Sequence, residues 1–477
     1  MPAAAKSGSA GQAQATAAIY GFAAPIPPAT SPIPLRAGPH LFLDEFLIES
    51  SSNLTRRVSA PARDPALPNP LVTGKEDGCF QPYLTVVRDP QSGRFRLWYG
   101  ARTDDFNAGR SHLGYMESAD GIHWIRPHRA LADPAPINFG ASVIDEGPGC
   151  PRPAERFKFG WWHDGGLRVA ASADGLTWAP LSPAVVLPHN HDINSLFWDP
   201  LRRRYVATVS FNLAGKTWSG VRRVTKQSVS QDLLHWQEPW FVLTPDDRCD
   251  EGQTQFYAMD GYLARGDLII GMVKVLRDDL KADEPPDPPE AYGIGYTTLA
   301  WTRDGEHWTR DRAKFFDRSP EPSAWDHAHA WIDEQVLIGD EVYLYYGGYM
   351  RGHKVNRFAE RQIGLVKMKR DRYVAREAGP QGGSLRTPLV TLDAAAMTLN
   401  VDASDGEVKV QILDRKGRPI PGFTAADCPG ARGDALAVAV RWRRPLATLR
   451  GRPVRLEFLL KNARLFAFDL LPSKNAK

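Results

Sequence analysis

One short phrase, Ser-x-Asp-Gly-x-x-Trp or a close variant, occurs four times along the chain. It reads SADGIHW at 118–124, SADGLTW at 172–178, SQDLLHW at 230–236 and TRDGEHW at 302–308. The starts lie 54, 58 and 72 residues apart, a spacing that marks repeated supersecondary units. Asp-Gly between β-rich flanks is a hairpin signal, because Gly accepts positive φ and Asp caps the turn. The Trp then opens a returning strand and offers a large apolar face to a neighbouring unit.

Upstream of each phrase runs an Asp-Pro or Gly-Asp turn followed by an aromatic strand: RDPQSGRFRLWYG (88–100), WDPLRRRYVATVS (198–210) and GDEVYLYYGG (339–348), with weaker cases ERFKFGWW (155–162) and RGDLIIGMV (265–273). Four short strands per repeat make a propeller blade. Blades are expected near 77–130, 137–187, 189–243, 251–316 and 326–375. The fifth lacks the phrase; VKMKRDRYV (366–374) stands in its place. LFLDEFLIE (41–49) reads as a strand or short helix and is a candidate for closing the ring. DDLKADEPPDPPE (278–290) holds too much Pro and charge for a strand and reads as a loop inserted in blade 4, over the site. Beyond Gly382 come short alternating or apolar runs with turn residues between them, the pattern of a β-sandwich. The expected fold is all-β, a five-bladed β-propeller followed by a C-terminal β-sandwich, divided as 1–39 flexible lead-in, 40–378 propeller and 379–477 sandwich.

Composition bounds the partners. A formal charge of +4 on 477 residues, with no useful Lys/Arg run, argues against nucleic acid. No apolar run is long enough for a membrane span. The Ala/Ser/Gly/Pro-rich N-terminus has no continuous apolar core, so it is a poor secretory signal, and a cytoplasmic location is the default expectation. Cys79, Cys150, Cys249 and Cys428 show no metal spacing and read as unpaired buried thiols. The oligomeric state is not legible.

In a propeller the first strand of each blade lines the central channel, and chemistry belongs where those strands begin. Those openings are Glu76-Asp77 to Tyr83 in blade 1, His189-Asn190-His191-Asp192 in blade 3, Asp250-Glu251 to Tyr257 in blade 4 and Trp325-Asp326-His327-Ala328-His329 in blade 5. Blade 2 opens on Asn138 to Ser142, without an acid. Carboxyls converging on such a channel suit general acid–base work, one protonated and the other ionised. Asp192 is the first candidate, placed within an inner strand. Glu251 is the candidate acid, its carboxyl raised by desolvation in an aromatic channel. Asp77 is the candidate base or nucleophile. On a strand, residues i and i+2 face the same way, so His189/His191 and His327/His329 present paired imidazoles, either to substrate hydroxyls or to a metal. Asp326, Tyr257, Trp162 and Arg102 complete the expected substrate-binding set. Arg102, Arg351, His353 and Lys354 bind an anionic substrate group or are solvated loop charge. No cofactor is required by this chemistry; a single channel-bound metal ion is the one option kept open.

The LFLDEFLIE opening, the Ser-x-Asp-Gly-x-x-Trp blades and the tail LNVDASDGEVKVQILDRKGRPIPGF resemble a bacterial family-32-like group among the five-bladed propeller glycoside hydrolases, families 32 and 43. The resemblance covers about residues 40–470. It implies a glycoside hydrolase acting on a furanoside or related sugar in an oligo- or polysaccharide. The alternatives are a non-catalytic glycan-binding propeller and a metal-dependent hydrolase or lyase using the His-x-His pairs. The chain departs from the fructosidases: their Trp-Met-Asn-Asp-Pro-Asn-Gly and Glu-Cys motifs are absent, and Arg88-Asp89-Pro90 recurs by blade as Asp199-Pro200, which marks a turn. Hydrolysis of sucrose or fructan is not supported.

Overall fold

The computed structural model describes residues 31–102, 111–282, 292–353, 355 and 361–472. Residues 1–30 of the expected lead-in, most of the Pro-rich loop (283–290) and Lys354 lie outside the described residues. Blade 1 is Cys79–Arg88, Phe95–Arg102, Ser111–Ser118 and Arg129–Ala130. Blade 2 begins with Phe139–Asp145, blade 3 with Asn194–Asp199, blade 4 with Thr254–Arg265 and blade 5 with His329–Ile338. Within each blade successive strands pair antiparallel. The five inner strands touch in chain order, and the fifth returns to the first. That closed ring is a five-bladed propeller, with blade limits close to those expected.

Blade 5 contributes three strands of its own, His329–Ile338, Glu341–Tyr349 and Arg361–Lys369. Its outer edge is met by residues from before blade 1, through the bridges Ala62↔Lys367 and Val72↔Ile363. The chain therefore closes the ring with its N-terminal side, which protects an edge that would otherwise stay unpaired. The expected closer, 41–49, goes elsewhere. Gly38–Leu41 pairs with Ala463–Leu471 of the sandwich, and Phe42, Leu47 and Ile48 fill the sandwich core.

The repeated phrase is a latch between blades. In blade 2 Ser172 Oγ accepts from Gly175 N (2.8 Å), and Asp174 Oδ1 accepts from Leu176 N (2.8 Å) and Thr177 N (2.9 Å). Gly175 sits at φ 74°. Its carbonyl accepts from Trp98 Nε1 of blade 1 at 2.8 Å. Gly121 O likewise accepts from Tyr345 of blade 5 (2.9 Å), and Gly305 O from Gln227 of blade 3 (2.7 Å). Asp89 and Asp199 cap their turns by accepting backbone N–H groups two and three residues on, as read from the sequence.

The C-terminal unit is a β-sandwich. The long strand Ala396–Leu413 pairs with Ala463–Leu471 over its first half and with Pro453–Lys461 over its second. It passes from one layer to the other around a core including Met397, Leu399, Val410, Phe458 and Phe468. Ile33–Leu35 adds to this unit through Val390–Leu392, so residues from 33 onward belong to it although the sequence reading placed them in the lead-in.

Candidate functional site at the channel mouth

The openings of all five inner strands meet at one end of the channel. Phe80 of blade 1 stacks on Phe139 of blade 2 (6.2 Å), which lies beside Trp162 (6.4 Å). His191 of blade 3 meets the ring of Tyr257 edge-on (6.0 Å), and Tyr257 of blade 4 stacks on Trp331 of blade 5 (4.6 Å). Tyr83 donates across the channel to Tyr257 Oη at 3.0 Å. Burial raises both tyrosine hydroxyls, and the nearby Asp192 charge raises them further.

A polar chain runs along the blade 3 and 4 side. Asp192 Oδ1 lies 3.2 Å from His191 Nε2. Arg223 Nε donates to the same nitrogen at 3.1 Å, and Arg223 Nη1 donates to Gln255 Oε1 (2.7 Å) and Asp278 Oδ2 (3.0 Å). Gln255 Nε2 donates to Asp278 Oδ2 at 3.0 Å, and His353 Nδ1 lies 3.6 Å from Asp278 Oδ1. Since Nε2 of His191 accepts from a guanidinium, its proton sits on Nδ1, which donates to Ser210 Oγ (2.9 Å). Burial, with Arg223 beside it, holds His191 down at about 3, so the ring is neutral. Burial pushes Asp278 up, but His353 and Arg223 outweigh it and hold the carboxyl at about 2. The side chains of Asp192 and Asp278 stay 28% and 33% exposed. Two partly exposed carboxyls therefore stand at one mouth, Asp278 held by Arg223 and Asp192 beside the His191 nitrogen that accepts from the same guanidinium, while Phe139 and Trp162 are half-buried at the opening of blade 2.

The other expected residues disperse. Asp192 precedes its inner strand, which starts at Asn194, and so lies in the connecting loop and not within the strand. Asp77 ends the short helix Gly74–Asp77. Its carboxylate is buried against Arg126 (2.8 and 2.9 Å) and accepts from Thr73 N. Glu251 has a 93% exposed side chain 3.5 Å from Arg277, so the desolvation expected there is missing. Asp326 is buried and accepts from Arg63 Nε (2.8 Å) and Tyr346 Oη (3.0 Å). Arg102 ends its strand exposed. The two His-x-His pairs do not act as strand pairs: His189 and His191 lie in a bend, and only His329 is on a strand. His189 is buried beside Phe211, with burial lowering it to about 4. His327 Nδ1 and Nε2 face the carbonyls of Ser319 (2.9 Å) and Ala282 (3.2 Å). His329 is fully buried between Trp331 and Tyr349 and lowered by that burial.

Arg223 stands at the His191 nitrogen that would ligate a metal, backbone carbonyls hold His327, and no group of three His, Cys, Asp or Glu suited to an ion occurs among the described residues.

Arg223, Asp278 and His353 were not singled out for the carboxylate pair by the sequence reading. Arg223 is near the start of the third strand of blade 3, Val221–Ser230, and Asp278 near the end of the second strand of blade 4, Leu268–Lys281. Third strands begin, and second strands end, on the side where inner strands begin. That direction rule is the signal that would have found both.

No protein-family model matches the chain, and no curated protein matches it. Among solved structures it is similar to an N-acetylgalactosamine deacetylase from F. plautii, at 16% identity over 68% of this chain and 96% of that one, with a TM-score of 0.41. A family-32 β-fructofuranosidase from Bombyx mori matches at 11% identity over 84% and 96%, TM-score 0.39. An exo-β-1,3-galactanase from Phanerochaete chrysosporium matches at 9% identity over 87% and 100%, TM-score 0.39. The propeller itself rests on its own ring of five contacting inner strands.

Proposed function

We propose that the protein is a carbohydrate-active enzyme that cleaves a glycosidic bond at the channel mouth. The observation that supports this reading is the pair of carboxyls, Asp192 and Asp278, on either side of the His191–Arg223 contact at the opening of the channel. Asp278, held ionised, suits the carboxylate that stabilises positive charge on the sugar ring or activates the attacking group. Asp192, reaching solvent at the same mouth, is the second carboxyl that such a cleavage requires. Aromatic faces such as those of half-buried Phe139 and Trp162 take the apolar side of a pyranose or furanose ring. Asp77 and Glu251 are not needed in this arrangement; each already has a partner away from the Arg223 chain.

The test is turnover by the full chain on a panel of aryl glycosides and natural oligosaccharides, with Asp192→Asn and Asp278→Asn alongside. Each variant is expected to lose about 10²- to 10⁴-fold in kcat with its thermal transition and oligosaccharide binding kept. A wild-type protein that binds oligosaccharides but turns over none of the panel would support the non-catalytic binding propeller instead.

A further inference from the structure

Below the Tyr83–Tyr257 pair the channel opens into a cavity of about 210 Å³ walled by all five inner strands. Asp260, Asp333, Glu334 and Asn194 line it. Consecutive residues Asp333 and Glu334 both line the cavity because the strand register shifts between Ile332 and Glu334, a bulge that re-aims a side chain. Lys274 is buried behind them, its Nζ 2.8 Å from Asp260 Oδ2 and in direct contact with Asp333. Asp333 Oδ2 has no hydrogen-bond partner. Asn194 is only 5% exposed, and both its amide oxygen and its amide nitrogen lack a partner.

Asp260 and Asp333 thus share one ammonium, and Glu334, which accepts from Gln335 N, lines the same cavity. No other titratable group there supplies positive charge. The inner strands of blades 2 and 3 bring no ionisable residue to the cavity. Tyr83, Tyr262, Tyr345 and Tyr349 are all raised by burial and stay neutral, as does the Cys79 thiol. Arg361, the nearest further cation, is turned to Tyr349 and to the carbonyls of Phe80 and His353. Two uncompensated carboxylates at the ring centre are strongly disfavoured.

We propose that this cavity is a proton-holding site, in which the excess carboxyls keep protons at neutral pH and hydrogen-bond through internal water to Asn194. At about 30 Å³ of liquid volume per molecule, the cavity admits several waters. Burial raises Glu334 to about 8 and raises Asp333 as well, with Asp260 adding to both and Lys274 opposing the rise at Asp333. The linkage follows from the sign of that rise. Between the ordinary carboxyl range and about pH 8 the folded chain holds protons that the unfolded chain has lost, so stability falls as pH rises through that window and levels above it.

The test is the thermal transition of the full chain from about pH 5 to about pH 9.5 at constant ionic strength, for the wild type and Glu334→Gln. The wild-type midpoint is expected to decline up to about pH 8, and the variant's decline to be shallower, so that Glu334→Gln gains on the wild type as pH rises. Parallel curves would overturn the proposal. Should the variant fail to fold, difference infrared spectroscopy of the wild type reads the same site: a protonated-carboxyl band that disappears near pH 8 supports it, and no such band overturns it. Sodium, potassium or calcium raising the midpoint selectively at alkaline pH, at fixed ionic strength, would make this a cation site and overturn the proton reading.

Discussion

Arg223 meets three partners at once: His191, Gln255 and Asp278. Only a planar guanidinium spans that fork; an ammonium is a point charge and holds one or two of the three. Arg223 therefore positions the mouth, setting both the tautomer of His191 and the charge of Asp278. Replacing it with Lys keeps the charge and loses the geometry, so kcat/KM is expected to fall about tenfold, the worth of a lost charge-assisted hydrogen bond. Replacing it with Met also removes the cation beside Asp278, whose carboxyl then rises from about 2. Its ionised form is lost at a higher pH, so the acid limb of the kcat/KM profile is expected to move up by about 1–3 pH units. A profile measured on Arg223→Met with its acid limb in place would show that Asp278 does not govern that limb. At this scale the sequence was partly legible. Counting from the repeat put Asp192 within an inner strand, and it lies two residues before one, because the count fixes the blade but not the first strand residue. Asp278 was read with the Pro-rich loop because acidic residues lead directly into it, although Asp278 to Lys281 extend a blade 4 strand.

The latch phrase was legible because its chemistry is local: the Ser and Asp acceptors and the positive-φ Gly lie within four residues of one another. What it grips was not legible, because the partner comes from a blade some seventy residues or more away. The Cβ of an alanine at 175 would come within 2.9 Å of Trp98 Cζ2 and 3.0 Å of Arg96 Nη2. Blade 3 shows what the motif tolerates: Leu233 takes the same left-handed backbone at φ 70° because its side chain is buried in the local core. Alanine at 175 gains no such burial, pays the left-handed backbone strain and presses on Trp98. Gly175→Ala is expected to destabilise by about 2–4 kcal/mol, read as a lower denaturant midpoint at an unchanged slope. A loss below about 0.5 kcal/mol would mean that the latch gives way without consequence.

The two domains named from the sequence are interlaced by the path of the chain. Residues 33–35 and 38–41 pair inside the sandwich, 62 and 72 bridge to blade 5, and the strand from Cys79 opens blade 1. The sandwich thus takes strands from both sides of the propeller, which simple segment counting does not reveal because pairing partners so far apart in the chain, such as Ile33 with Val390 and Gly38 with Leu470, leave no local signal. A shared apolar cluster joins the units: Leu41, Leu43, Tyr373 and Ala467 pack with Leu268, Ile270 and Trp301 of blade 4 and with Ile332 and Leu344 of blade 5. Ion pairs cross the same boundary, Arg303 to Asp44 at 2.9 Å and Arg56 to Asp311 at 2.7 Å. Melting the sandwich alone would pull 33–58 away and loosen the segment that closes the ring; opening the ring would expose the shared cluster. Neither unit then has a stable state without the other. Scanning calorimetry of the full chain is expected to show one transition, with the van't Hoff enthalpy approaching the calorimetric enthalpy. Two resolved transitions would mean that the shared cluster and the N-terminal clasp couple the units too weakly to make them one folding body.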